Sequence, residues 1–173
     1  TGFMLEGIYT AAGDLSDPAL DPAAVLAAAD YAHDTLTNEG DNSWLGMIRQ
    51  NATMTMESWT QPPYEDEGGG TFSHPWTAAP AWVIPRFLMG VRPIEDGWRR
   101  IAIRPLPGSQ LTKAAMTVLT PRGEVALSFE KEALRGWALN LTVPGNTKAQ
   151  VCHFRRLLVH VLHSGLISGE NGR

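Results

Sequence analysis

At 173 residues the chain has room for one ordinary domain or two small ones. With 43% hydrophobic and 18% charged residues, it holds enough apolar material for a packed core and too little charge for a disordered chain. A formal charge of −4 argues against a dedicated nucleic-acid binder, and a single cysteine, Cys152, excludes an internal disulfide and a multi-cysteine metal site.

No run of about 18 apolar residues reads as a membrane span. Neither nucleic acid nor membrane is therefore an expected partner. The opening Thr1-Gly2-Phe3-Met4-Leu5 has no charged n-region and no apolar signal core. It reads as the start of a chain cut from something longer, and localisation stays open.

Asp21 and Pro22 sit where an N-cap and an N1 proline belong. Val25, Ala29, Ala32 and Leu36 follow at helical spacing, with Leu26 widening the stripe. This predicts a helix of about four turns packed on a larger body. A second helical stretch is expected from Ala78 to Met89, with Pro80 in its first turn and Pro85 kinking it. Gly90 suits its C-terminal cap.

After Gly90 the hydrophobic period becomes two. Ile101 and Ile103 alternate with Arg100, Ala102 and Arg104; Val125, Leu127 and Phe129 with Ala126, Ser128 and Glu130; Trp137, Leu139, Leu141 and Val143 with Ala138, Asn140 and Thr142. Each pattern buries one strand face and wets the other. Pro121-Arg122-Gly123 reads as a hairpin connection and Pro144-Gly145-Asn146 as a turn. Four or five strands joined this way predict an antiparallel β-sandwich. Residues 155–173 show no alternation and read as a divergent, loosely attached tail.

The stretch from Gly40 to Trp82 is where candidate chemistry gathers. It holds Trp44, Trp59, Trp76 and Trp82, together with Asp41, Glu57, Glu65, Asp66, Glu67, three consecutive glycines and His74. Aromatic faces cover the apolar face of a pyranose, and carboxylates hydrogen-bond hydroxyls or move protons. The tryptophans also suit a core, and the Glu65-Asp66-Glu67 run suits a solvated loop. Glu57 lies among apolar residues in Met54-Thr55-Met56-Glu57-Ser58-Trp59, where burying a carboxylate without purpose is costly. A surface or salt-bridged glutamate is the alternative. His153, His160 and His163 lack acidic or thiol partners, so neither a metal nor a cofactor is expected. Sequons at Asn51 and Asn140 are compatible with secretion without showing it.

Asn42-Ser43-Trp44-Leu45-Gly46-Met47-Ile48-Arg49-Gln50, Ala52-Thr53-Met54-Thr55-Met56-Glu57-Ser58-Trp59 and Ser73-His74-Pro75-Trp76 follow one another in order. With Ala78-Ala79-Pro80-Ala81-Trp82, Pro85-Arg86, Gly90-Val91-Arg92-Pro93, Gly97-Trp98, Arg104-Pro105 and Thr120-Pro121-Arg122-Gly123, this series resembles the C-terminal part of α-L-rhamnosidases over residues 1–151. The resemblance implies the last helices of an (α/α)6 barrel in residues 1–90, a C-terminal β-sandwich in 91–154 and the divergent tail in 155–173.

It further implies inverting hydrolysis of terminal α-L-rhamnosides, with a rhamnose-containing glycoside or polysaccharide as partner. Glu57 matches the family's general base and His74 a sugar-subsite residue, with Trp59, Trp76 and Trp44 as neighbours. An inverting glycosidase needs two carboxyl groups about 6.5–9.5 Å apart. The family's general acid belongs to earlier barrel segments, so the chain is expected to hold half of a catalytic pair and to be inactive alone. The competing reading is a non-catalytic carbohydrate-binding or structural β-sandwich module.

Overall fold

The structure is a computed structural model that describes residues 1–13, 21–59, 71, 73–132, 136–152, 157–161 and 167–170. The chain divides into two compact units, Thr1–Val83 and Ile84–Arg173. The break therefore falls inside the proline-interrupted helical stretch.

The first unit is helical. Helix α1 spans Gly2–Gly13 and α2 spans Pro22–Leu36. In α1, Leu5 and Tyr9 lie one turn apart and are both fully buried. Helix α1 packs against α2 and α4. In α2 the Asp21 side chain accepts from Ala23 N–H at 2.9 Å, and Pro22 fills the first turn. Val25, Ala29 and Ala32 form its buried stripe, and the two alanines let the helices approach closely. Leu26, expected to widen that stripe, is 44% exposed. The described residues of this unit also hold a short helix α3, Trp44–Arg49, a 3-10 turn, Pro75–Thr77, and a short helix α4, Pro80–Val83. The sequence pattern predicts no helix over α1, although Thr1, a residue type suited to an N-cap, immediately precedes it.

Residues Ile84–Leu88 open the second unit as a π-helical turn. The kink expected at Pro85 takes this form because proline lacks the N–H that an α-turn needs and crowds the preceding carbonyl. The wider turn closes instead through Met89 N–H to Ile84 O at 2.8 Å. Gly90 then takes a positive φ of 70°, the conformation expected of the cap.

Among the described residues eight strands follow: β1 (Val91–Pro93), β2 (Arg100–Ile103), β3 (Lys113–Thr120), β4 (Gly123–Glu132), β5 (Gly136–Thr142), β6 (Lys148–Cys152), β7 (Leu157–Val161) and β8 (Ile167–Glu170). They form two four-stranded sheets, ordered β1-β2-β6-β8 and β3-β4-β5-β7. The expected β3–β4 hairpin forms around Pro121 and Arg122, with Thr120 paired to Gly123.

The sandwich expected as antiparallel is built from mixed sheets. β1–β2, β3–β4 and β4–β5 are antiparallel, whereas β2–β6, β6–β8 and β5–β7 are parallel. For β2–β6 the turn at Pro144-Gly145-Asn146 sets the pairing. It carries the chain from β5 in one sheet to β6 in the other, where β6 runs beside β2.

Val125, Leu127 and Phe129 of β4, with Leu139 and Leu141 of β5, are buried in the second sheet. Ile101 and Ile103 of β2, with Ala149 and Val151 of β6, are buried in the first. Ala102 and Arg104, expected on a wet face, are buried too, whereas Arg100 on that face is exposed as expected. The strands β7 and β8 fall where no strand was expected. Leu157-Leu158-Val159-His160-Val161 is nearly all apolar, the pattern of parallel strands and not of half-wetted ones. Among the described residues no helix is long and apolar enough to cross a membrane.

Candidate functional site

The proposed site residues lie on three short stretches of the first unit, tied together mainly by backbone polar groups. The first is α3. Ser43 caps it by accepting from Gly46 N–H at 2.9 Å, while its hydroxyl donates to Gly40 O at 2.5 Å. Gly46 sits so close to Asp41 that a Cβ there would lie 2.1 Å from the Asp41 carbonyl oxygen. This fixes the entry of the helix, and with it Trp44.

The second stretch is residues 54–59 and the third is 71–77. Glu57 N–H donates to Thr71 O at 3.0 Å, and Thr71 N–H donates to Glu57 Oε2 at 2.9 Å. Two residues earlier, His74 N–H donates to Thr55 O at 2.7 Å while the Thr55 hydroxyl donates to His74 O at 2.8 Å. The Thr77 hydroxyl donates to Met56 O at 2.5 Å, and Trp44 Nε1–H donates to Thr77 O at 2.7 Å. All three stretches are thereby knitted into one body.

The aromatic rings follow the same frame. Trp44 and Trp59 meet edge to face at 5.5 Å. His74 lies tilted against Trp76 at 5.9 Å, and Trp76 meets Phe3 edge to face at 6.5 Å. Within this chain Trp76 is 78% exposed.

Glu57 departs from the expectation of a carboxylate among apolar neighbours. It is exposed, because Met56 takes the inside position and is fully buried. The Met56 N–H points to the Met47 sulfur at 3.4 Å, which fixes which side of the stretch faces in. One Glu57 oxygen is oriented by Thr71 N–H, and the group remains open to water.

Glu65, Asp66, Glu67 and Gly68 to Gly70 lie outside the described residues, as do His153 and His163. Among the described residues no group of three or more His, Cys, Asp or Glu could hold a metal. Thr55, Thr71 and Thr77, which hold the stretches together, were missed by the sequence reading. Their bonds join residues 14 to 21 positions apart, and no local pattern announces them.

Residues 90–155 match the family model of the bacterial α-L-rhamnosidase C-terminal domain. An α-L-rhamnosidase of Formosa agariphila is 34% identical over 131 residues, covering 70% of this chain and 14% of the relative. One from Streptomyces avermitilis is 27% identical over 151 residues, 83% of this chain and 14% of the relative. The chain thus spans about one-seventh of the length of these relatives.

The solved structure of the Streptomyces avermitilis α-L-rhamnosidase with L-rhamnose superposes at TM-score 0.60 and 28% identity, covering 70% of this chain and 12% of that one. A Bacillus rhamnosidase of family GH78 superposes at TM-score 0.61 and 24% identity over 96% of this chain and 18% of its own, which speaks for the fold. Sequence and fold together place this chain in the α-L-rhamnosidase family, as its C-terminal part: a helical segment followed by the family's C-terminal β-domain.

Proposed function

We propose that the chain serves in the hydrolysis of terminal α-L-rhamnosides with inversion, as part of a protein whose earlier barrel segments supply the general acid. The observation that carries this reading is the tie between Glu57 and the 71–77 stretch. It orients an exposed carboxylate through Thr71 and holds it on the same hydrogen-bonded frame as His74 and Trp76. In this reading Glu57 takes a proton from water as that water attacks the anomeric carbon. His74 hydrogen-bonds the sugar, and the exposed face of Trp76 covers its apolar side. Trp44 and Trp59 back the site. On a chain that spans one-seventh of its relatives, the activity, substrate and site assignment are all part of the proposal.

The test is Glu57→Gln in the full-length enzyme, which keeps the side-chain size and removes its basicity. The expected result is a fall in kcat of about 10²–10⁴-fold with much smaller change in rhamnose binding. His74→Ala should lose sugar affinity as well as rate, because its hydrogen bond acts in ground and transition states alike. Near-normal kcat in a folded Glu57→Gln enzyme would remove the assignment. The unmodified 173-residue chain should show no turnover of aryl α-L-rhamnosides above background.

A further inference from the structure

A cleft of about 550 Å³ in the second unit is lined by Glu95, Arg99, Arg100, Arg122, Asn146 and Lys148. Its size falls within the range of small-ligand sites. Four of these residues are cations and one is an acid, so the lining carries a formal charge of 4 − 1 = +3 in a chain whose formal net charge is −4. Such a local reversal of sign concentrates positive potential in a concave surface.

The cleft is built on fixed backbone. Arg122 Nε donates to Gly97 O and its Nη1 to Asn146 O, both at 2.8 Å. One guanidinium thus clamps the 94–99 loop to the 144–147 link between the sheets. Lys148 N–H donates to Arg99 O at 2.9 Å, and the Thr147 hydroxyl reaches Trp98 O at 3.4 Å. Carbonyl oxygens hold the Arg122 guanidinium without neutralising it. Glu95 is shared between Arg100 at 3.1 Å and Arg99 at 3.9 Å, one carboxylate against two cations. The lining therefore keeps cationic charge beyond what its own acid balances.

An aromatic residue stands on the same loop. Trp98 has φ 59°, next to Gly97 at φ 66°. A bulky residue in that conformation is a backbone outlier, held only because the surroundings over-determine it. Here the hydrogen bonds to Trp98 O and Arg99 O do so. Trp98 and Asp96 line an adjoining cleft of about 380 Å³, and Glu95 borders both, so the paired lining keeps four cations against two acids.

We infer that this paired cleft is a binding site for an acidic saccharide. The guanidinium and ammonium groups take the oxyanion of a uronate or a sulfate ester, and the sugar ring lies toward Trp98. That the anion is carried on a saccharide rests on the family reading above. Anion binding itself rests on the cleft alone and is separate from the Glu57 site.

Isothermal titration of the 173-residue chain tests this with four probes: a tetragalacturonate, a sulfated oligosaccharide, a neutral oligosaccharide of equal length, and a short polyglutamate of equal charge. The expected result is saturable binding of one or both acidic saccharides, tighter than either control and weakened by added salt. The two acidic probes separate carboxylate from sulfate recognition. In R99Q/K148Q, whose altered side chains are exposed, affinity should fall about tenfold. K113Q, which removes one exposed cation outside the cleft, should leave it unchanged. Absence of saturable binding, equal affinity for polyglutamate or the neutral probe, or undiminished affinity in a folded R99Q/K148Q chain would each overturn the proposal. Because no readout is turnover, failure here is distinct from failure of the rhamnosidase reading.

Discussion

Gly90 and Gly97 offer a controlled pair of perturbations. Both have nearly the same positive φ, 70° and 66°. An alanine at either position meets the same backbone penalty, about 1–2 kcal/mol for a side chain in the left-handed region. They differ in space. At Gly97 an added Cβ would meet nothing within 4 Å, whereas at Gly90 it would lie 1.9 Å from the Arg104 carbonyl oxygen and 2.4 Å from Pro105 N. Those are backbone atoms, and no side chain can swing aside to relieve the clash. Gly90 O also accepts from Arg104 N–H at 2.9 Å, and the next rung is Leu106 N–H to Leu88 O at 2.9 Å. Relieving the clash therefore strains the hydrogen bonds that hold this approach. Overpacking of this kind costs about 1–3 kcal/mol more, bringing Gly90→Ala to roughly 2–5 kcal/mol. Denaturant unfolding of the two variants beside the parent chain reads the difference as a shift in midpoint. Equal destabilisation of Gly90→Ala and Gly97→Ala would refute the reasoning, since only the backbone penalty would then be at work.

Three other expectations follow from the helical unit and the proposed site. Burial pushes the Tyr9 phenol from 10.0 up to about 12. The folded state thus holds its proton where the unfolded state has lost it, so this contribution is complete below pH 10. It falls by up to about 1.4 kcal/mol per pH unit between pH 10 and about 12. Unfolding measured across that range should show the decline, and Tyr9→Phe should flatten it. Asp21→Ala removes the acceptor for Ala23 N–H and should cost about 0.5–2 kcal/mol, read as a lower midpoint with loss of helical circular dichroism. Glu57→Gln in the full-length enzyme should reduce kcat while leaving the thermal midpoint within about 0.5 kcal/mol of the parent, as befits an exposed side chain.

Local chemistry was legible wherever one residue decides one conformation. The Asp21-Pro22 start of α2, the Pro121-Arg122 hairpin and the period-two strands β4 and β5 each follow from rules that act within a few residues. What escaped depends on distant partners. The parallel placement of β6 beside β2 is set by the crossing at Pro144-Gly145-Asn146, and a turn signal does not say which sheet the chain enters next. The strand β7 was hidden because a nearly unbroken apolar run carries no period, and β8, Ile167-Ser168-Gly169-Glu170, is too short and too polar to show one. At the candidate site the residue types were readable, but not their exposure. Met56 and Glu57 are neighbours on one irregular stretch, and the inward facing of Met56 goes with its contact to Met47, nine residues away.

The same long-range logic places the unit boundary. The family model begins at residue 90, yet the compact unit begins at Ile84. Phe87, Leu88 and Met89 are all buried, and Leu88 O accepts from Leu106 N–H beyond the end of β2. The last helical turn thus belongs physically to the β-unit. Burying three such side chains is worth roughly 1.5–3 kcal/mol each, together comparable with the whole stability of a small domain. A truncated chain of residues 84–173 should therefore melt cooperatively at a higher temperature than one of residues 91–173, which leaves the sheet beneath those side chains bare. Near-ultraviolet circular dichroism and thermal unfolding of the two would show it. Identical behaviour of both truncations, whether folded or unfolded, would mean that the π turn is only an appendage and that the boundary lies at Gly90.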